Sequence, residues 1–100
     1  MKKAPPKWNL KQESFETIHN VTISLKCDAF SIPTATYKWL KNGIQINNER
    51  YKVDANNSLI INDLVLADAS KYTCIAENNL GRIENEFYLK VLSKFWYFKH

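Results

Sequence analysis

A chain of 100 residues is long enough for one hydrophobic core and too short for two. Its 45% hydrophobic and 24% charged residues exclude intrinsic disorder and low-complexity polymers, and no apolar run approaches the roughly 18 residues that span a bilayer. Fourteen Lys and Arg against ten Asp and Glu leave a net charge of +4, a mild preference for acidic surfaces that is no nucleic-acid signature by itself.

Met1 to Pro6 is a basic start with no apolar segment behind it, so no signal peptide is read there, and a secreted parent implies that this chain is a fragment with an added Met. Residues 1–6 are expected to be a flexible lead or interdomain linker, 7–92 the domain, and 93–100 a tail of separate status. Val21 to Cys27 alternates apolar and polar residues, the pattern of a strand with Val21, Ile23, Leu25 and Cys27 facing a core. Thr36 to Lys41 is a second strand, with Tyr37 and Trp39 on one face, and it stops at the hairpin signal Asn42-Gly43.

Short strands follow at Ile44–Ile46, at Tyr51–Val53 and at Ser58–Asn62, the last two separated by the turn-rich Asp54-Ala55-Asn56-Asn57. Val65 to Ser70 loses the alternation and is expected to cross between sheets as a helical or open turn. Lys71 to Asn78 resumes it, with Tyr72, Cys74 and Ala76 inward. Asn78 to Gly81 turns the chain into a final strand lined by Ile83, Phe87, Leu89 and Val91. Many short strands punctuated by turns every several residues indicate a β-sandwich or small barrel.

Cys27 and Cys74 are compatible with one disulfide in a secreted protein or with two free thiols in a cytosolic one, and arithmetic leaves both open. With Trp39 between them, Tyr72 two residues before Cys74, and the run Leu59-x-Ile61-x-x-Leu64-x-x-x-Asp68-x-x-x-Tyr72-x-Cys74, the sequence resembles the immunoglobulin superfamily, specifically its I-set. The segments Ala4-Pro5-Pro6-Lys7-Trp8, Trp39-Leu40-Lys41-Asn42-Gly43 and Cys74-Ile75-Ala76-Glu77-Asn78 followed by Gly81 are similar to domains of contactin-type neural cell-adhesion molecules. Ser70 departs from the family's frequent Gly before the Tyr-x-Cys, no Gly precedes Val21, and residues 29–33 lack the usual Gly-x-Pro.

The resemblance implies an all-β, immunoglobulin-like Greek-key sandwich in which a Cys27–Cys74 disulfide joins the two sheets and Trp39 packs on it. It also implies a tyrosine corner at Tyr72, a core position for Leu64, and an ion pair between Arg50 and Asp68 across one end of the sandwich. That pair is read as structural and not as a ligand site, because a partly buried pair fixes chain geometry.

Chemistry is sparse. His19 falls in a loop and His100 at the terminus, and the inward cysteines offer neither a nucleophile paired with a base nor the close ligand pairs that zinc requires. Glu84 and Glu86 share a strand face that alternates with Ile83 and Phe87, which marks a solvated face and not an acid/base pair. Two isolated glycines form no phosphate cradle. No catalytic residue, metal site or cofactor is expected.

Asn20-Val21-Thr22 and Asn56-Asn57-Ser58 are glycosylation sequons, and Asn56, at a turn tip, is the better placed. Residues 94–100 interleave Phe95, Trp96, Tyr97 and Phe98 with cations, a composition suited to a membrane interface, base stacking or a partner groove; the preferred reading is an artificial truncation or an interdomain linker, which exposes residues that pack on a neighbouring domain or another copy.

The function implied by the resemblance is a non-enzymatic recognition and spacer module of an extracellular or cell-surface adhesion or receptor protein. It would bind protein partners, or neighbouring domains of its own chain, through a sheet face or loops, with no nucleic acid and no membrane span in this stretch. Lys38, Lys41 and Asn42 are the expected contact surface. The competing expectation is an intracellular, titin-like I-set module acting as a mechanical spacer with both thiols reduced, and an accessory domain of a receptor kinase would look the same.

Overall fold

The computed structural model describes residues 2–11, 14–46 and 50–93. Among these described residues, ten strands form two layers: β1 (Ala4–Leu10), β2 (Phe15–Ile18), β3 (Ile23–Leu25), β4 (Asp28–Ile32), β5 (Thr36–Lys41), β6 (Ile44–Gln45), β7 (Tyr51–Val53), β8 (Leu59–Ile61), β9 (Ser70–Asn78) and β10 (Gly81–Leu92). One sheet runs β2-β10-β9-β5-β6; the opposite layer consists of the ladders β3-β8-β7 and β1-β4. The N-terminal stretch therefore changes layers, pairing antiparallel with β4 through β1 and parallel with β10 through β2. This is the expected immunoglobulin-like sandwich.

Period-two patterning decides which side chains meet between the layers. Leu25 on β3, Leu59 and Ile61 on β8, and Tyr72 and Cys74 on β9 are fully buried, and Phe87, Leu89 and Val91 on β10 join them. Trp39 lies directly opposite Cys74 in the β5–β9 ladder, so both point into the core. The Trp39 ring meets Phe87 edge-on at 6.1 Å, and Tyr72 stacks on the same ring at 6.3 Å. The Trp39 indole N–H donates to the Asn57 carbonyl at 2.9 Å, so the largest core residue buries no orphan donor. Cys27 and Cys74 are disulfide-bonded across the layers, with Cα atoms 6.3 Å apart.

Several elements differ from expectation for identifiable reasons. The strand read over 21–27 is shorter as a ladder, because β8 offers only three partners and the chain then exchanges β8 for β1. Before β3, Leu64 takes the place of a ladder partner, accepting from the Asn20 N–H and donating to the Val21 carbonyl. Ala4, Pro5 and Pro6, read from the sequence as part of a lead, begin β1. Two prolines argue against a central strand, but β1 is an edge, where missing N–H donors leave no gap in a sheet interior.

Both glycines have work to do, though only one does it in a turn. Asn42 and Gly43 have φ of 51° and 81°, the type I′ geometry that joins Lys41 to Ile44. Gly81 has no positive φ; a Cβ there would stand 3.2 Å from Pro5 Cβ, so it is a site of close approach between β10 and β1. Between β8 and β9, residues Leu66–Asp68 form the short helical crossing as a 3-10 turn.

The disulfide spans 47 residues, for which the chain-entropy model gives about 4 kcal/mol. For a domain of this size that is a large share of the total. Replacement by Cys27→Ala is expected to lower the thermal midpoint by more than about 10 °C. Differential scanning calorimetry checks this, and an unchanged midpoint would mean the bridge contributes nothing.

Candidate functional site

Among the described residues, a dense polar constellation lies at the corner where the 3-10 turn enters β9. Asp68 is 1% exposed, and a buried carboxylate must be fully partnered. Its Oδ1 accepts from Arg50 Nη1 at 2.5 Å and from the Tyr51 hydroxyl at 2.8 Å, and its Oδ2 accepts from the Val65 N–H at 2.8 Å. Arg50 Nη2 donates to the carbonyls of Asn62 and Asp63, holding the turn after β8. Lys41 Nζ donates to the Tyr51 oxygen at 3.2 Å and to the Ala67 carbonyl at 3.1 Å. Two cations also approach the Tyr51 ring, Lys41 Nζ at 5.6 Å and Arg50 Cζ at 5.7 Å from its centroid.

The same corner holds Tyr72, whose hydroxyl donates to the Asp68 carbonyl at 2.6 Å. This is the tyrosine-corner geometry, four residues back along the chain. Burial pushes the Tyr72 phenol far above its ordinary value. Burial also pushes the Asp68 carboxyl upward, but the hydrogen bonds from Arg50, Val65 and Tyr51 outweigh it and hold the group below the usual carboxylate range. Arg50 is correspondingly held above its ordinary value by Asp68. Asp68 is held ionised and Tyr72 neutral near neutral pH, and the hydrogen bonds of the corner run between groups of the domain itself.

The remaining singled-out residues are dispersed. Leu64 is fully buried. His19 is half-buried and its backbone N–H donates to the Leu92 carbonyl; His100 and the aromatic tail 94–100 lie outside the described residues. Among the described residues, no group of three or more His, Cys, Asp and Glu is placed to hold a metal. Glu84 and Glu86 lie on the exposed face of β10, within 3.8 Å of Arg82 and 3.9 Å of Lys71 respectively. Lys38 faces solvent, whereas Lys41 belongs to the corner and Asn42 Oδ1 accepts from the Lys71 N–H at 3.3 Å. The three do not make one contact surface, because alternation along β5 sends Lys38 and Lys41 to opposite faces.

Asn20 is exposed with φ of 69°, and Asn56 is exposed in the turn between β7 and β8. Asn56 borders an open cleft of about 400 Å³ lined also by Lys26, Cys27, Asp28 and Ser58. One residue read from the sequence only as part of a turn has a wider organising role. Asn78 Nδ2 donates to the carbonyls of Ala4 and Pro33, while its Oδ1 accepts from the N–H groups of Leu80 and Gly81. It joins β1, the turn before β5 and the β9–β10 turn, and its links to Ala4 and Pro33 become visible only once the strands are placed.

The family model described as an immunoglobulin domain matches residues 5–78. The chain belongs to the immunoglobulin domain family. It is 36% identical over 91 residues to contactin-6 of Rattus norvegicus, covering 90% of this chain and 9% of that protein. It is 34% identical over 80 residues to neuroglian of Drosophila melanogaster, covering 80% of this chain and 6% of that protein. The chain thus spans less than a tenth of the length of these two relatives. Among solved structures, the titin domains Z1Z2 superpose with a TM-score of 0.87 at 23% identity, over 93% of this chain and 49% of that one, a likeness of fold.

Arg50→Ala strands the Asp68 charge in the interior and is expected to cost about 3 kcal/mol, measured by urea unfolding at neutral pH. Because the folded-state value of Asp68 is depressed, its contribution is complete above the unfolded value of 3.8 and is lost as pH falls through the lower folded value. Stability is therefore expected to drop below that pH, and Asp68→Asn is expected to flatten this part of the profile. An identical acid profile in the variant would show that Asp68 does not drive it.

Proposed function

We propose that this chain is one recognition and spacer module of a multidomain cell-surface adhesion or receptor protein, working without catalysis. It presents a fixed sheet face to protein partners or to neighbouring domains of its own chain. The observation that carries the reading is the Cys27–Cys74 disulfide in a chain whose relatives include a contactin and neuroglian. Such bridges persist in oxidising compartments and are reduced in the cytosol.

The outer face of the five-stranded sheet suits protein contact. There Lys38, Lys71, Arg82 and Lys90 are interspersed with Glu16, Glu77, Glu84 and Glu86, and the Tyr88 ring stands 62% exposed on the same face. An exposed aromatic among balanced charges is the composition of a polar interface with an anchor. The alternative, an intracellular mechanical spacer, draws on the likeness in shape to titin and requires both cysteines reduced.

The two readings are separated by intact mass of the parent protein taken from its own cells under alkylating conditions. The cell-surface reading expects this segment unalkylated and gaining about 2 Da on reduction, as a two-electron disulfide does. Free, alkylated thiols would favour the intracellular reading. Secretion from a eukaryotic host is further expected to add a glycan at Asn56, and at Asn20 if that position is also used. A gel shift removed by glycosidase and by Asn56→Gln checks the first site.

A further inference from the structure

The turn between β7 and β8 is exposed at its tip, yet it is fastened from both ends. Asp54 Oδ1 accepts from the N–H groups of Asn56 and Ser58, each at 2.9 Å, and the Asp54 N–H donates to the Ser58 carbonyl at 3.0 Å. Asn57, with φ of 64°, donates its N–H to the Asp54 carbonyl at 3.0 Å. Its own carbonyl takes the Trp39 indole N–H, which ties the turn to the core residue lying opposite Cys74. An Asx turn held in this way fixes the direction in which Asn56 leaves the surface.

The cleft of about 400 Å³ beside Asn56 falls in the size range of small-ligand sites, roughly 300 to 1,000 Å³. Lys26 and Asp28, both exposed, line it from the strand region, and Ala55, Asn57 and Ser58 line it from the turn. Side chains of both charges, with backbone amides beside them, match the hydroxyl and acetamido groups of a sugar, which donate and accept together. Cys27 borders the same cleft. Cys27 is 3% exposed and Cys74 is fully buried, so the side of the bridge nearer to solvent is the side next to this cleft.

We propose that the cleft seats the first N-acetylglucosamine of a glycan on Asn56, and that the seated ring holds the turn closed over Cys27 and slows the approach of thiols to the bridge. The proposal rests on the cell-surface reading above, which supplies the glycan. In the transfer, a lipid-linked diphosphate donor loses its sugar C1–O bond as Asn56 Nδ2 gives up a proton and forms the C1–N bond. A sugar already joined to a fixed turn needs little affinity, because attachment holds it at an effective concentration on the order of millimolar. Asn20 is also exposed but does not line the cleft, so a glycan there has no part in it.

The test uses the 100-residue chain secreted from a eukaryotic host as Asn20→Gln and trimmed by endoglycosidase to one N-acetylglucosamine on Asn56. Dithiothreitol is added to the folded chain, and the thiols released are trapped by alkylation and counted by mass. The trimmed chain is expected to lose its bridge about fivefold more slowly than Asn20→Gln/Asn56→Gln, since opening of the turn must first unseat the sugar. With Lys26→Ala/Asp28→Ala added to both chains, the difference is expected to vanish. Equal rates with and without the sugar, or a slowing that survives the loss of both side chains, would overturn the proposal.

Nuclear Overhauser contacts in the trimmed chain give a reading that needs no change to the cleft. The acetamido methyl group is expected to show contacts to the side chains of Lys26 or Asp28, and a sugar that shows contacts to Asn56 alone would count against the seat. Secretion without a sugar on Asn56 would also overturn the proposal. Each of these failures leaves the cell-surface reading standing, because that reading is tested by the state of the cysteines in the parent protein.

Discussion

Cys74 sits in the middle of β9, the strand that pairs with β10 on one side and β5 on the other, and its sulfur is bonded to Cys27 in the opposite layer. That one bond fixes how the two layers face each other, and the side chains around it follow. Trp39 is brought into the core by lying opposite Cys74, and Phe87 then contacts both Trp39 and Tyr72. A small core gains uniqueness from such shared contacts, because no member can change rotamer without displacing another. The corner at Asp68 has a parallel role for the connections, collecting Arg50, Tyr51, Val65 and Tyr72 around a single residue.

What was legible in the sequence was whatever depends on local periodicity or fixed spacing. The inward sets on β5, β9 and β10, the Asn42-Gly43 turn, and the partners of the tyrosine corner all have this character. The edge of the sandwich was not legible. β1 has two prolines and β2 is too short to show a period, so neither carries a pattern of its own; each exists because a partner strand completes its ladder. Gly81 was read as a turn residue for the same reason, since its contact with Pro5 is visible only once β1 is in place.

The candidate contact surface at Lys38, Lys41 and Asn42 illustrates a related limit of linear reading. Neighbours in sequence look like a patch, but a pleated strand sends adjacent residues to opposite faces, and Lys41 is engaged with Tyr51 and Ala67.

Asn78 and Gly81 hold the beginning of β1 against the first residues of β10, and β10 then runs without interruption from Gly81 to Leu92. At the rise of an extended strand its eleven steps cover about 36 Å, so the backbone arrives at one pole of the sandwich and departs at the other. Entry and exit of the described backbone are thus held a strand's length apart by the single ladder that also carries the disulfide-bonded β9.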